Sequence, residues 1–347
     1  MNQENQNHPD RNHAGLTRQE YRGAPSTLCL GCGHNSIAGQ IVAACYELDI
    51  VPEKVVKFSG IGCSSKSLNY FLNRSFGFNG LHGRMPSLAA GVSFADTSLK
   101  VFGISGDGDT ASIGMGQFKH TVRRNTPMVY IIENNGVYGL TKGQYSATTE
   151  QGVEIKRHGK TKYLPVDLCI EALSANATFV ARSFAGDPKQ VKELIKAAFH
   201  HQGIALLDII SPCVTFYNAG TSIHSYAGGR DHEAPIHQLS FVQAKDEITV
   251  DDFEDGTVKE VNFHDGSVVL LKKLEKDYDP TDKAQAYQIL EDSHRKGWLV
   301  TGLIYIDPIE PTMHDHFNLI DRPLNRLTNE EIRPSKESLD RINQMML

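Results

Sequence analysis

Long apolar runs are missing from this 347-residue sequence. None reaches the ~18 residues that a bilayer-spanning helix needs. The N-terminal stretch MNQENQNHPDRNH lacks the apolar segment of a secretion signal. An excess of positive charge is missing too: 35 Lys+Arg stand against 41 Asp+Glu, a net charge of −6. Neutralising a phosphate backbone takes a basic surface, so neither nucleic acid nor a membrane is an expected partner. The expectation is a soluble, cytoplasmic protein. In a reducing compartment its six cysteines are not expected to pair as disulfides. Metal ligation, catalysis or plain burial remain for them. No internal repeat is present.

What the sequence does contain is a packable core, with 40% hydrophobic residues. The segments 55–60, 100–105, 127–134, 177–184 and 204–211 are short, β-branched and bounded by Gly, Pro or Asp, and they predict buried strands. Helical patterns separate them. Ile37, Ile41, Val42, Cys45 and Leu48 form one stripe, Pro86 opens a second helix, and Asp187-Pro188 is an N-cap and first-turn pair. This alternation predicts an α/β fold with a mostly parallel sheet flanked by helices. Residues 1–24 read as a polar arm, mobile or held by a partner, and 25–227 as the main domain. Residues 228–347 read as a C-terminal extension making subunit contacts. In the extension, Asp255-Gly256 and Asp265-Gly266 predict hairpin turns, followed by a helix near 281–296 and a strand over 298–307.

Two constellations carry chemistry. Gly106-Asp107-Gly108-Asp109 falls at a predicted strand end before a helix, where glycines let backbone N–H groups approach a phosphate. Asp107 is a hard oxygen ligand suited to Mg²⁺. The next strand ends in Glu133-Asn134-Asn135-Gly136-Val137, where the Asn135 amide and the Val137 carbonyl supply two more oxygens. Adjacent parallel strands would bring these ends together. Separately, Cys29 and Cys32 form a CxxC, while Cys63 and Cys213 each follow a predicted strand. Four thiolates suit a structural Zn²⁺ or an iron–sulfur cluster, and their spacing does not choose between them. Cys45 and Cys169 lie on apolar helical stripes and read as buried thiols.

The GDG and NN pair resembles the thiamin-diphosphate motif, in which the aspartate, the second asparagine and the carbonyl two residues on bind the anchoring metal. CLGCGH, GIGCSS, LHGRMPSLAAGV, GDGD, ENNGVYGLTKGQ and SPC occur in that order. Together they resemble the β subunit of the 2-oxoacid:ferredoxin oxidoreductases, densely over about 25–225. The resemblance implies a [4Fe–4S] cluster on Cys29, Cys32, Cys63 and Cys213. It implies Mg²⁺ on Asp107, Asn135 and Val137, and thiamin diphosphate lined by Ile61, Gly62, Cys63, Ser64, Gly106, Gly108, Asp109, Gly139 and Leu140. His82 is a further cofactor contact. Lys66 and Lys142 match positions beside the 2-oxoacid and are the candidate catalytic cations.

The activity so implied is CoA-dependent oxidative decarboxylation of a 2-oxoacid, reversible, with electrons passed to ferredoxin. The long C-terminal extension looks like the 2-oxoglutarate type; pyruvate and branched-chain acids share the motifs. Thiamin activation also needs a glutamate on a separate pyrimidine-binding domain, and the sequence has the length for one thiamin domain plus an appendage, not two. An α subunit is expected to supply it, and most of the coenzyme A site. Two other readings stay open: a non-oxidative thiamin-dependent decarboxylase or synthase subunit, and a zinc-bearing scaffold.

Overall fold

The computed structural model describes residues 10–155, 159–244, 258–273 and 278–346. The first part of the chain forms α1 (Gly33–Glu47), β1 (Val55–Ser59), α2 (Ser64–Ser67), β2 (Phe76–Asn79), α3 (Met85–Ala95) and β3 (Lys100–Gly106). Then come α4 (Met115–Arg123), β4 (Met128–Asn134) and four two-residue strands. These are β5 (Val137–Tyr138), β6 (Gln144–Tyr145), β7 (Glu154–Ile155) and β8 (Gly159–Lys160). The middle of the chain gives α5 (Leu168–Ser174), β9 (Phe179–Phe184), α6 (Pro188–His200), β10 (Ile204–Ile210) and α7 (Tyr226–His232). The remainder gives β11 (Glu233–Pro235), β12 (His237–Val242), β13 (Val258–Asn262), β14 (Val268–Lys273), α8 (Lys283–Lys296) and β15 (Leu299–Ile306).

One eight-stranded sheet organises the molecule, in the order β2-β1-β3-β4-β10-β9-β15-β11. The first six strands are parallel. β15 runs antiparallel to β9, and β11 pairs parallel with β15. The central strands are buried on both faces, as a parallel sheet between helix layers requires. Val129 and Ile131 of β4 pack with α1 and α6, whereas Met128, Tyr130 and Ile132 pack with α3, α4, α5 and α8. Asp187 caps α6 by accepting the Gln190 N–H at 3.1 Å, and Pro188 occupies its first turn.

The five expected strands are present, and β15 and α8 fall where the sequence places them. The Asp265-Gly266 turn joins β13 to antiparallel β14, with Gly266 at φ +83°. Asp255-Gly256 lies outside the described residues. β12, β14 and β13 form a separate antiparallel sheet, which packs Leu239, Phe241, Val261, Val269 and Leu271 onto the main core. β11 and β15 belong to the main sheet instead. The polar arm differs from expectation over its described part, residues 10–24. Tyr21 is fully buried, its carbonyl accepts from Leu72 N–H at 2.7 Å, and its hydroxyl accepts from Asn12 at 2.8 Å. That segment is fastened to the body by a side chain that composition alone hides.

Candidate active site

The parallel register sets the site. Ser59 is level with Ile104, Gly106 with Glu133, and Ile210 with Asn134. β1, β3, β4 and β10 therefore end side by side, and the loops carrying Cys63, Asp107, Asn135 and Cys213 leave from one edge. Helix α1 starts at this edge, where the Gly33 N–H donates to the Pro212 carbonyl at 3.2 Å. That contact sets the CxxC loop against the Cys213 segment.

A cavity of about 100 Å³ opens here. Its lining includes Ile61, Gly62, Cys63, Ser64, His82, Gly106, Asp107, Gly108, Asp109, Asn135, Val137, Gly139 and Leu140, with His34, Tyr138 and Thr141. Every residue expected to touch thiamin diphosphate or its metal thus borders one space. Lys66 and Lys142 do not. Lys66 is half-buried in α2, and Lys142 is exposed at the tip of the β5–β6 ribbon at φ +77°. A larger cavity, about 940 Å³, lies at the opposite edge beside the first residues of β3 and β4, and none of the expected site residues lines it. Ligands of open α/β sheets sit at the carboxyl ends of the strands, which favours the smaller cavity.

Asp107 is almost fully buried and crowded with donors. Its Oδ1 accepts from the Asn135 N–H at 3.1 Å, and its Oδ2 from Thr148 Oγ1 at 2.7 Å and from Ser146 Oγ. The Asn135 Oδ1 accepts from the Val137 N–H at 3.1 Å. The Asp107 carboxylate, after β3, is thus bonded to the turn after β4 that carries the Asn135 amide oxygen and the Val137 carbonyl, an all-oxygen donor set of a kind that suits Mg²⁺. Gly136 makes the turn possible at φ +66°, and a Cβ there would lie 2.7 Å from the Tyr217 ring. After Asp107 the chain forms a π-helical turn, Gly108–Ile113, before α4. The Tyr138 hydroxyl donates to the Gly108 carbonyl at 2.9 Å. Asp109 turns to the neighbouring loops: its Oδ1 accepts from Ile61 N–H at 3.1 Å and Gly83 N–H at 2.8 Å and pairs with His82 Nδ1.

The four expected cluster thiols converge beside this cavity. A Cβ at residue 139 would lie 3.5 Å from Cys63 Sγ and 3.7 Å from Cys213 Sγ. Thr215 Oγ1 donates to Cys29 Sγ at 3.5 Å. Burial pushes the Cys32 thiol up to about 12, with Glu133, Cys213 and Cys63 adding to the rise. Burial likewise pushes Cys63 up to about 11; Cys213 and Cys29 add to it and Lys66 opposes it. Among the described residues, no three Cys, His, Asp or Glu side chains close on a single metal ion. Four cysteine thiols are the donor type that an iron–sulfur cluster or a structural Zn²⁺ takes. Cys45 and Cys169 are fully buried in α1 and α5, away from the site.

The sequence reading missed several groups. His34 is 1% exposed, and burial holds its imidazole down at about 3. Glu133 is fully buried; burial raises its carboxyl well above the usual range, although Ser67 donates to both its oxygens. Ser146 and Thr148 could have been suspected only from the hydroxyl-rich stretch SATT that follows the motif. His34 was visible as the last residue of CLGCGH.

A strand-end diphosphate turn facing an oxygen-ligand loop defines a thiamin-diphosphate-binding domain of the α/β class. The family description "Thiamine pyrophosphate enzyme, C-terminal TPP binding domain" matches residues 60–209. Over 200 residues the chain is 42% identical to the 2-oxoacid:ferredoxin oxidoreductase subunit beta of Saccharolobus solfataricus. That match covers 56% of this chain and 64% of the relative, so the chain spans somewhat under two thirds of that protein's length. It is 36% identical over 209 residues to the 2-oxoglutarate synthase subunit KorB of Methanocaldococcus jannaschii, covering 59% of this chain and 76% of the relative. A solved 2-oxoglutarate:ferredoxin oxidoreductase from Magnetococcus marinus, with 2-oxoglutarate, coenzyme A and succinyl-CoA bound, superposes with a TM-score of 0.74. The identity there is 30%, over 94% of this chain and 96% of that one. The chain belongs to the β-subunit family of the 2-oxoacid:ferredoxin oxidoreductases.

Proposed function

We propose that the chain is the β subunit of a CoA-dependent 2-oxoacid:ferredoxin oxidoreductase, with 2-oxoglutarate as substrate. It would turn 2-oxoglutarate into an acyl-CoA and CO₂ and deliver the electrons to ferredoxin, reversibly. The observation that carries this reading is the single cavity bordered by Asp107, Asn135 and Val137 with Cys63 in its wall, and Cys213 against Gly139 beside it. The Magnetococcus marinus enzyme, matched over almost its whole chain, supports the choice of oxoacid.

In this reading Asp107, Asn135 and Val137 hold Mg²⁺, and Cys29, Cys32, Cys63 and Cys213 hold a [4Fe–4S] cluster. Bound there, thiamin diphosphate would supply the carbanion chemistry of decarboxylation and the cluster one-electron redox chemistry. The chain's own residues position and enclose. Gly106 and Gly108 leave the backbone of the turn open to a diphosphate, and Gly108 also makes room for the Tyr138 ring, which a Cβ there would meet at 2.5 Å. Ile61, Gly139 and Leu140 border the cavity, with Ile61 and Leu140 exposed at its rim. Lys66 and Lys142, which lie outside the cavity wall, offer cations to the incoming oxoacid only from its margin.

The glutamate that activates thiamin and most of the coenzyme A site come from an α subunit. The described residues form one eight-stranded main sheet, and the family match within it, residues 60–209, is to the C-terminal TPP binding domain. The test is anaerobic co-purification with the α subunit, an absorption spectrum, and ferredoxin reduction with 2-oxoglutarate, pyruvate and a branched-chain oxoacid in turn. A brown protein bleached by dithionite and most active on 2-oxoglutarate supports the proposal. A colourless zinc protein overturns it, and preference for another acid overturns the substrate.

A further inference from the structure

The space between the thiols and the diphosphate turn is filled by a buried polar node. His34 Nδ1 lies 2.6 Å from Ser211 Oγ and 3.6 Å from Glu133 Oε2. Ser67 Oγ donates to Glu133 at 2.9 and 3.1 Å. On its other side, His34 Nε2 faces the Asn135 amide nitrogen at 3.5 Å. All four node residues are buried, and His34 also lines the cavity. Each sits within four positions of a residue given a role above. His34 follows Cys32, Ser67 follows Cys63, Ser211 precedes Cys213, and Glu133 precedes Asn135.

The hydrogen-bond roles follow from the partners. The Asn135 Oδ1 is taken by the Val137 N–H, so its nitrogen faces the ring and His34 Nε2 is the acceptor. In a neutral ring Nδ1 then carries the proton and donates to Ser211 Oγ. The ring therefore fixes which end of the Asn135 amide turns toward the metal turn. It also ties the first turn of α1, whose N-cap is Cys32, to the Ser211-Pro212-Cys213 segment. The fit is close: a Cβ at Gly33 would lie 2.5 Å from Ser211 Oγ.

We propose that His34 is a positioning residue shared by the two centres, orienting Asn135 for the metal through Nε2 and locking the Cys32 and Cys213 segments together through Nδ1. This rests on the function proposed above. Outer partners of metal ligands are typically worth 10–100-fold in metal affinity. The same contacts that orient Asn135 set how the thiols face the cofactor.

The test uses the anaerobic complex with its α subunit. The readouts are Mg²⁺ affinity in the presence of thiamin diphosphate, iron content, and the electron paramagnetic resonance spectrum after dithionite reduction. His34→Leu is expected to weaken Mg²⁺ about 10- to 100-fold and to shift the resonance spectrum, with iron retained. His34→Gln, whose carbonyl reaches Asn135, restores Mg²⁺ affinity. Ser211→Ala, which removes only the Nδ1 partner, shifts the spectrum and leaves Mg²⁺ affinity unchanged; it carries the test if His34→Leu does not fold. Ile41→Ala, a core substitution in the same helix, lowers the melting temperature and moves neither readout. Wild-type values in His34→Leu, a change in one readout alone, or both shifts reproduced by Ile41→Ala overturn the proposal. A wild-type complex without iron or thiamin diphosphate binding overturns the functional reading instead.

Discussion

Asp109 Oδ1 accepts the Gly83 N–H at 2.8 Å, binding the turn after β3 to the turn after β2. The same oxygen takes the Ile61 N–H at 3.1 Å, so one buried carboxylate braces two loops of the cavity wall. Asp109→Ala leaves both donors unpaired and is expected to cost about 2–4 kcal/mol of stability. Thiamin diphosphate affinity should fall with it, while the Asp107 ligand set stays. Asp109→Asn keeps an acceptor and should fall between. Thermal melting and calorimetric titration of each variant measure this.

Replacing Cys29, Cys32, Cys63 or Cys213 with Ser is expected to lower iron content and abolish ferredoxin reduction. Cys45→Ser and Cys169→Ala should keep the iron at a packing cost of about 1 kcal/mol or somewhat more. Iron analysis of the six variants decides it. Loss of iron in Cys45→Ser with retention in Cys213→Ser would reverse the assignment.

Asp107→Ala is expected to remove Mg²⁺-dependent thiamin diphosphate binding and to leave the absorption of the cluster in place, because the two sites draw on different side chains. Unchanged affinity in a titration would contradict the metal assignment.

Stability should decline in acid. His237 and His201 are held down at about 3 by burial, against 6.5 when exposed. Between those values the unfolded chain binds the extra protons, so stability is full above pH 6.5 and is lost as pH falls toward 3. His237 Nε2 accepts the Leu303 N–H at 3.1 Å, a bond that protonation removes. His237→Gln should flatten the decline by up to about 1.4 kcal/mol per pH unit. Melting curves from pH 7.5 to 4.5 test the slope; equal slopes in both proteins would discount His237.

The isolated chain, supplied with cluster, Mg²⁺ and thiamin diphosphate, is expected to release no CO₂ from any 2-oxoacid, and adding the α subunit should restore turnover. A cofactor bound across an interface stabilises that interface. Turnover by the chain alone, with mass spectrometry excluding a contaminating partner, would show that it carries its own activating acid.

Much of this molecule was legible in its sequence, for physical reasons. β4 and β10 are buried along their whole length, so their composition is constrained at every position. Asp107 and Asn135 stand among glycines that few other backbones would need. β2 was not legible: all four of its residues are exposed, and it is held by pairing with β1 and by Phe78 stacking on Phe58. Ser146 and Thr148 were missed because a loop hydroxyl carries no pattern, and their contacts to Asp107 span 39 and 41 residues. Lys142 sits two residues from Leu140 in the chain and is exposed, in a left-handed turn at φ +77°.

Strand β15, residues 299–306, lies inside the main sheet between β9 and β11. A ribosome delivers β9 more than a hundred residues earlier, since that strand ends at Phe184. Until β15 emerges, the outer edge of β9 offers unpaired N–H and C=O groups to any neighbouring chain. The nascent protein therefore passes through a long interval with its sheet unfinished, so chaperone dependence during synthesis should track translation of the segment between β9 and β15.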